Sequence, residues 1–163
     1  MKGMILNRNL LIVVLGVLML AVATAGCTSS REPVTANEFI TAAEELSFEV
    51  YQTPMDEIGH LVDTGLAASF SANKGTASVV FDVYIDEKSA GDNFDFYSSG
   101  VVALLPSPSF EEIDGRPAWN LHQRRSPTAL AVAIRVDSTV LGATAETAED
   151  VAAVDALIAA IGY

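Results

Sequence analysis

The period of the apolar positions changes several times along the chain, and each change predicts an element. Residues 10–23 form a run of 14 without a charge, preceded by Lys2 and Arg8 and followed by Thr24-Ala25-Gly26-Cys27. A membrane-spanning helix needs about 20 apolar residues, whereas the apolar region of a signal peptide needs roughly 7–15. Residues 1–26 are therefore predicted to be a signal peptide.

Past that segment, Phe39, Ala42, Ala43 and Leu46 recur at helical spacing behind Thr35-x-x-Glu38, a capping box, and predict a helix over 36–46. Phe48-Glu49-Val50-Tyr51 alternates as a short strand. Thr53-Pro54 then suits the start of a short helix near 54–62, with Met55, Ile58, Leu61 and Val62 inward. Residues 66–72 and 76–85 flank Asn73-Lys74-Gly75 and read as a hairpin. In its second strand Ala77, Val79, Phe81, Val83 and Ile85 share the expected core face, while Ser78, Val80, Asp82 and Tyr84 share the other.

Asp86 is placed to cap a helix carrying Ala90, Phe94, Tyr97 and Val101, in which Gly91 costs up to about 1 kcal/mol. Pro106-Ser107-Pro108 interrupts the chain, and residues 110–113 and 118–123 form a second hairpin around Asp114-Gly115-Arg116-Pro117. Leu130, Val132, Ile134 and Val136 alternate in a further strand that turns at Asp137-Ser138 into 139–144. Thr147-x-x-Asp150 opens a last helix, with Val151, Val154, Leu157, Ile158 and Ile161 inward, that ends at Gly162.

This order predicts an α+β fold: a mainly antiparallel sheet of six to seven strands with three main helices, in two loosely similar halves. Continuous apolar strands separated by helices, the mark of a parallel sheet, are not the pattern. Helices packed on one face would leave the other face of the sheet to a ligand, a partner or water.

Composition narrows the function classes. The 163 residues carry 9 Lys plus Arg against 21 Asp plus Glu, and half are hydrophobic. The chain is too apolar for disorder and too acidic to hold nucleic acid by neutralising phosphates. Cys27 stands alone, so there is no disulfide framework. Loss of residues 1–26 removes Lys2 and Arg8 but no acid, so 9 basic residues become 7 against an unchanged 21, net −14.

At Thr24-Ala25-Gly26-Cys27 the chain resembles the lipobox of bacterial lipoproteins, in which the Cys becomes the lipidated first residue. The competing reading is Ala23-Thr24-Ala25, an A-x-A site whose cleavage would release a secreted protein. An exported single thiol favours the first, because a thioether to diacylglycerol removes it. The organisation expected is a signal peptide at 1–26, a lipidated Cys and polar tether at 27–34, and one globular domain at 35–163. Stable attachment takes two acyl chains, such as palmitate. The location expected is the extracytoplasmic face of the cell membrane, with the domain some 20 Å off the bilayer at about 3.3 Å per tether residue.

Two clusters offer chemistry. Asp56, His60 and Asp63 lie at i, i+4 and i+7 of the predicted short helix, and one imidazole with two carboxylates is a conceivable metal set. Placed opposite the apolar stripe, they read better as a solvated face, and no metal or cofactor is expected. Arg116, His122, Arg124 and Arg125 concentrate the positive charge and form a candidate patch for an anionic ligand. Alternation puts Trp119, Leu121 and Gln123 on one face and Asn120, His122 and Arg124 on the other. No nucleophile elbow, zinc-protease helix, phosphate loop or dinucleotide fingerprint occurs in the sequence.

Residues 35–163 resemble a group of small uncharacterised lipoproteins of Gram-positive bacteria. The resemblance rests on Thr35-Ala36-Asn37-Glu38-Phe39, Phe48-Glu49-Val50-Tyr51, Arg135-Val136-Asp137-Ser138-Thr139 and Ala160-Ile161-Gly162-Tyr163. It implies a lipid anchor and an α+β fold, and brings no activity. The expectation is a non-catalytic binding or interaction module of the cell envelope, for a small molecule or another envelope protein. The alternative is a lipid-anchored hydrolase or metal-dependent enzyme using His60 or His122.

Overall fold

Among the described residues, seven antiparallel strands form a single sheet in the order β1-β2-β3-β7-β6-β5-β4. The computed structural model describes residues 31–54, 64–104, 110–115 and 119–163. The strands are β1 (Glu49–Gln52), β2 (Leu66–Lys74), β3 (Ala77–Tyr84), β4 (Phe110–Gly115), β5 (Trp119–Ser126), β6 (Ala129–Val136) and β7 (Thr139–Ala145). Among the described residues three helices pack on them: α1 (Ala36–Glu45), α2 (Glu87–Leu104) and α3 (Ala148–Ala160). The α+β class, the helices and both hairpins stand as expected. The short helix read near 54–62 falls largely on 55–63, outside the described residues, as do the signal peptide and Cys27. Among the described residues, no helix is long and apolar enough to cross a membrane.

Local signals account for the element ends. Thr35 and Glu38 form a reciprocal capping box at α1, and Asp86 Oδ1 accepts from the Ser89 N–H at 2.7 Å to open α2. The first hairpin is tighter than expected, because Asn73 and Lys74 pair with Ser78 and Ala77 and leave Gly75-Thr76 as the turn. Gly75 has φ +59, which a two-residue hairpin with glycine first requires. A β-bulge between Leu66 and Ala68 turns those two residues to opposite faces of the sheet.

The sheet is covered on both faces, which corrects the one-sided arrangement expected. On one face α1 and α3 bury Phe39, Ala43, Val151, Val154 and Leu157 against Ala77, Val79, Phe81, Ile134 and Leu141. On the other, α2 places Ala90 and Phe94 on Tyr84, Ala131, Ala133 and Val140. β6 is apolar on both sides for this reason, its alanines flooring α2 while Leu130, Val132 and Ile134 face α1 and α3.

The two halves share a meander but not a symmetry. A two-fold axis normal to the sheet could relate β1-β2-β3 to β5-β6-β7, but it would leave the following helices on one face. Here α2 and α3 lie on opposite faces.

Asp150 ties the halves together at one end of the sheet. It accepts from the Thr76 N–H at 3.0 Å, the Thr76 hydroxyl at 2.6 Å and the Thr147 hydroxyl at 2.7 Å. Those hydrogen bonds, from the Thr76 hydroxyl first, hold its carboxyl below the ordinary value. Its contribution to stability is therefore present above the unfolded value of 3.8 and lost as pH falls through the folded one.

Candidate functional site

Strand alternation divides the basic cluster that the sequence brings together. On β5, Trp119 and Leu121 pack toward α1 and α3, and Arg125 on the same side grips Asp155 of α3 through two hydrogen bonds of 2.8 and 2.5 Å. His122 faces the opposite way, its ring edge-on to Phe94 of α2 with centroids 5.1 Å apart. Arg124 shares the His122 side by the same alternation. The structure thus brings His122 and Arg124 to one side of β5 and Arg125 to the other. Arg116 lies outside the described residues, as do Asp56, His60 and Asp63.

Among the described residues, the clefts beside α2 include two that the sheet also borders. The first, about 590 Å³, is lined by Glu87, Lys88, Asp92 and Asp95 of the helix and by Asn120, His122 and Arg135 of the sheet. Its charges compensate one another. Arg135 donates from Nε to Asn120 Oδ1 at 2.8 Å and from Nη1 to Glu87 Oε1 at 3.4 Å, and Lys88 pairs with Asp92 at 2.5 Å. An anion entering this cleft would have to displace a carboxylate from each cation.

The second cleft, about 450 Å³, is apolar. Val80 of β3 and Gly142 of β7 lie at its base, Tyr97 and Gly100 of α2 form a wall, and Ser78, Ser99 and Thr144 bring hydroxyls. Phe96, 77% exposed, also lines it. Gly142 is what lets the helix lie this low, since a Cβ there would fall 2.8 Å from Tyr97 Cδ1. Gly91 lines the first cleft and Gly100 the second, and among the described residues a Cβ at either would meet nothing within 4 Å. Each glycine weakens the helix by roughly 0.5–1 kcal/mol relative to alanine and leaves its cleft open.

Behind Tyr97 lies a buried carboxyl. Asp82 is 4% exposed, and its Oδ2 accepts from the Tyr97 hydroxyl at 2.6 Å and the Tyr84 hydroxyl at 3.3 Å, while Oδ1 has no hydrogen-bond partner among the described residues. Burial pushes the Asp82 carboxyl above its ordinary value, and the neighbouring Ser69, Tyr97 and Tyr84 hydroxyls pull it back only in part. Burial, with the Asp82 charge adding to it, raises Tyr84 and Tyr97 as well.

The sign of the resulting pH dependence follows. A carboxyl raised on folding contributes stability that is present below the unfolded value of 3.8 and lost as pH rises through the folded one. Urea unfolding of wild type and Asp82→Asn at pH 4.5 and 7 should show the wild type losing stability relative to the variant at the higher pH. An unchanged difference would mean that Asp82 carries no shift. The Asp150 contribution cancels in this comparison.

No protein-family model and no curated protein matches the chain.

Proposed function

We propose that this protein is a non-catalytic, lipid-anchored binding domain of the cell envelope, held on the extracytoplasmic face of the membrane through Cys27. The ligand is a small apolar molecule with a neutral hydrogen-bonding end, taken up between α2 and strands β3 and β7. The observation that carries this reading is the apolar cleft of about 450 Å³, within the roughly 300–1,000 Å³ range of small-molecule sites. Val80, Phe96 and Tyr97 offer the apolar body its contacts, and the hydroxyls of Ser78, Ser99 and Thr144 fit a neutral polar end better than a charge. The anchor is supported by Ala25-Gly26-Cys27 after the apolar run and by the single cysteine.

The test uses the neutral fluorophore N-phenyl-1-naphthylamine as an apolar probe. Gly100→Leu adds a side chain where the cleft is empty and improves helix propensity by roughly 0.5–1 kcal/mol, so it should weaken probe binding at least ten-fold without lowering stability. Probe affinity equal to wild type would remove the cleft as the site. For the anchor, the intact mass of membrane-extracted protein should show residues 1–26 missing and a diacylglyceryl group on Cys27. Cleavage after Ala25 with no lipid would make the protein secreted.

A further inference from the structure

The four residues that lead into α1 are docked on the domain. The Arg31 guanidinium lies over the Trp119 ring, 4.1 Å from its centroid. Its Nη1 is buried with no hydrogen-bond partner among the described residues, and burial lowers the pKa of the group. Three residues on, the Val34 N–H donates to the Tyr163 hydroxyl at 3.0 Å, and the Val34 side chain packs against the main core. Tyr163 is 7% exposed and fixed in turn, its hydroxyl bonded to that of Thr139, which donates to the Val136 carbonyl at 2.7 Å.

All these anchor points sit at one end of the sheet. Trp119 pairs with Val136 where β5 begins and β6 ends, and Thr139 opens β7 beside them. The apolar cleft is toward the other end, at Ser78 and Thr144, which are paired across β3 and β7. From Thr139 to Thr144 is about 17 Å at 3.4 Å per residue.

Covalent reach then limits the distance from a lipid on Cys27. Only Thr28-Ser29-Ser30 separate Cys27 from Arg31, and four residue steps extend at most about 14 Å. A tether free as far as Thr35 would have twice as many steps.

We propose that residues 31–34 are a strap that holds the Trp119–Tyr163 end of the domain against the bilayer and turns the apolar cleft away from it. The inference rests on the lipid anchor at Cys27 proposed above. The short reach from Cys27 to the docked Arg31 is what brings this end toward the bilayer, and in a mature chain with 7 basic residues Arg31 is the one nearest the anchor in sequence. The cleft then takes its ligand from the aqueous side, since a lipid still seated in the bilayer lies at the wrong end of the sheet.

Trp119 is the chain's only tryptophan and reports the distance directly. The full mature lipoprotein is reconstituted in phosphatidylcholine vesicles carrying a dansyl-labelled phosphatidylethanolamine, and energy transfer from Trp119 is measured on floated vesicles. Transfer should fall at least two-fold when ten Gly/Ser residues are inserted between Ser30 and Arg31, a change that leaves every strap contact in place. It should fall by a similar factor in Arg31→Ala combined with Tyr163→Phe. Floated protein with transfer equal to wild type in the insertion variant overturns the strap and leaves the anchor standing. Wild-type protein that does not float overturns both.

Discussion

Phe81→Ala should lower the unfolding free energy by about 3–5 kcal/mol, a large part of the 5–15 kcal/mol typical of a domain. Phe81 has no exposed surface, sits on a central strand between Phe70 and Leu141, and stacks on Phe39 with ring centroids 4.6 Å apart at 13°. Truncation removes the transfer energy of the ring and leaves a cavity between α1 and the sheet, which packed neighbours fill only in part. At this chain length the midpoint of thermal unfolding should drop on the order of 10–20 °C. Phe96→Ala, at an exposed ring, should stay within about 0.5 kcal/mol of wild type. Phe39→Ala added to Phe81→Ala should cost less than the sum of the two single losses, because the stacked pair is lost only once. Denaturant unfolding of wild type and the four variants decides it, and a loss below about 1 kcal/mol at Phe81 would contradict the packing described.

The second large effect is expected at Gly142. A valine there places its Cβ 2.8 and 2.9 Å from Tyr97 Cδ1 and Cε1, so the ring must move. Overpacking of this kind costs roughly 1–3 kcal/mol. The ring cannot leave without giving up the 2.6 Å hydrogen bond to Asp82, and a buried polar group left unsatisfied costs roughly 1–3 kcal/mol more. Gly142→Val should therefore lose about 2–6 kcal/mol in all, and with the wall of the cleft displaced it should also lose probe binding. Combined with Tyr97→Ala, which removes the obstacle, the same valine should cost far less than it does alone. If the two losses simply add, the close approach of α2 to β7 is not what fixes this position.

Elements with local signals were legible in the sequence. The Thr35–Glu38 box, the Thr147 cap, the Gly75 turn and the alternation of Leu130, Val132, Ile134 and Val136 each carry their information within a few residues. What was missed is the second covered face, and its signal was the filling between those positions. Ala131 and Ala133 are neutral in a period-two reading, yet residues 129–134 form an unbroken apolar run, as expected of a strand buried on both sides. Asp82 and Tyr84 were placed on the other face without being read as buried, because nothing in the sequence shows that α2 crosses above them. The basic cluster is divided in space because Arg124 and Arg125 are neighbours in sequence and, on a strand, point oppositely. The apolar cleft left no motif: it is formed by missing side chains at Gly100 and Gly142, 42 positions apart.

The pairing of β3 with β7 has a consequence for how the chain reaches this structure. Within each meander, neighbouring strands are close in sequence, so β2-β3 and β4-β5-β6-β7 close over short loops and pay little loop entropy. Joining β3 to β7 instead brings residues 78–83 to 139–144, the longest closure in the sheet. Such non-local contacts slow folding, so this seam is where the barrier should lie. Phe81 and Leu141 face each other across it. Substitutions at that pair should act mainly on the folding rate, whereas those at the β4 edge should act on unfolding.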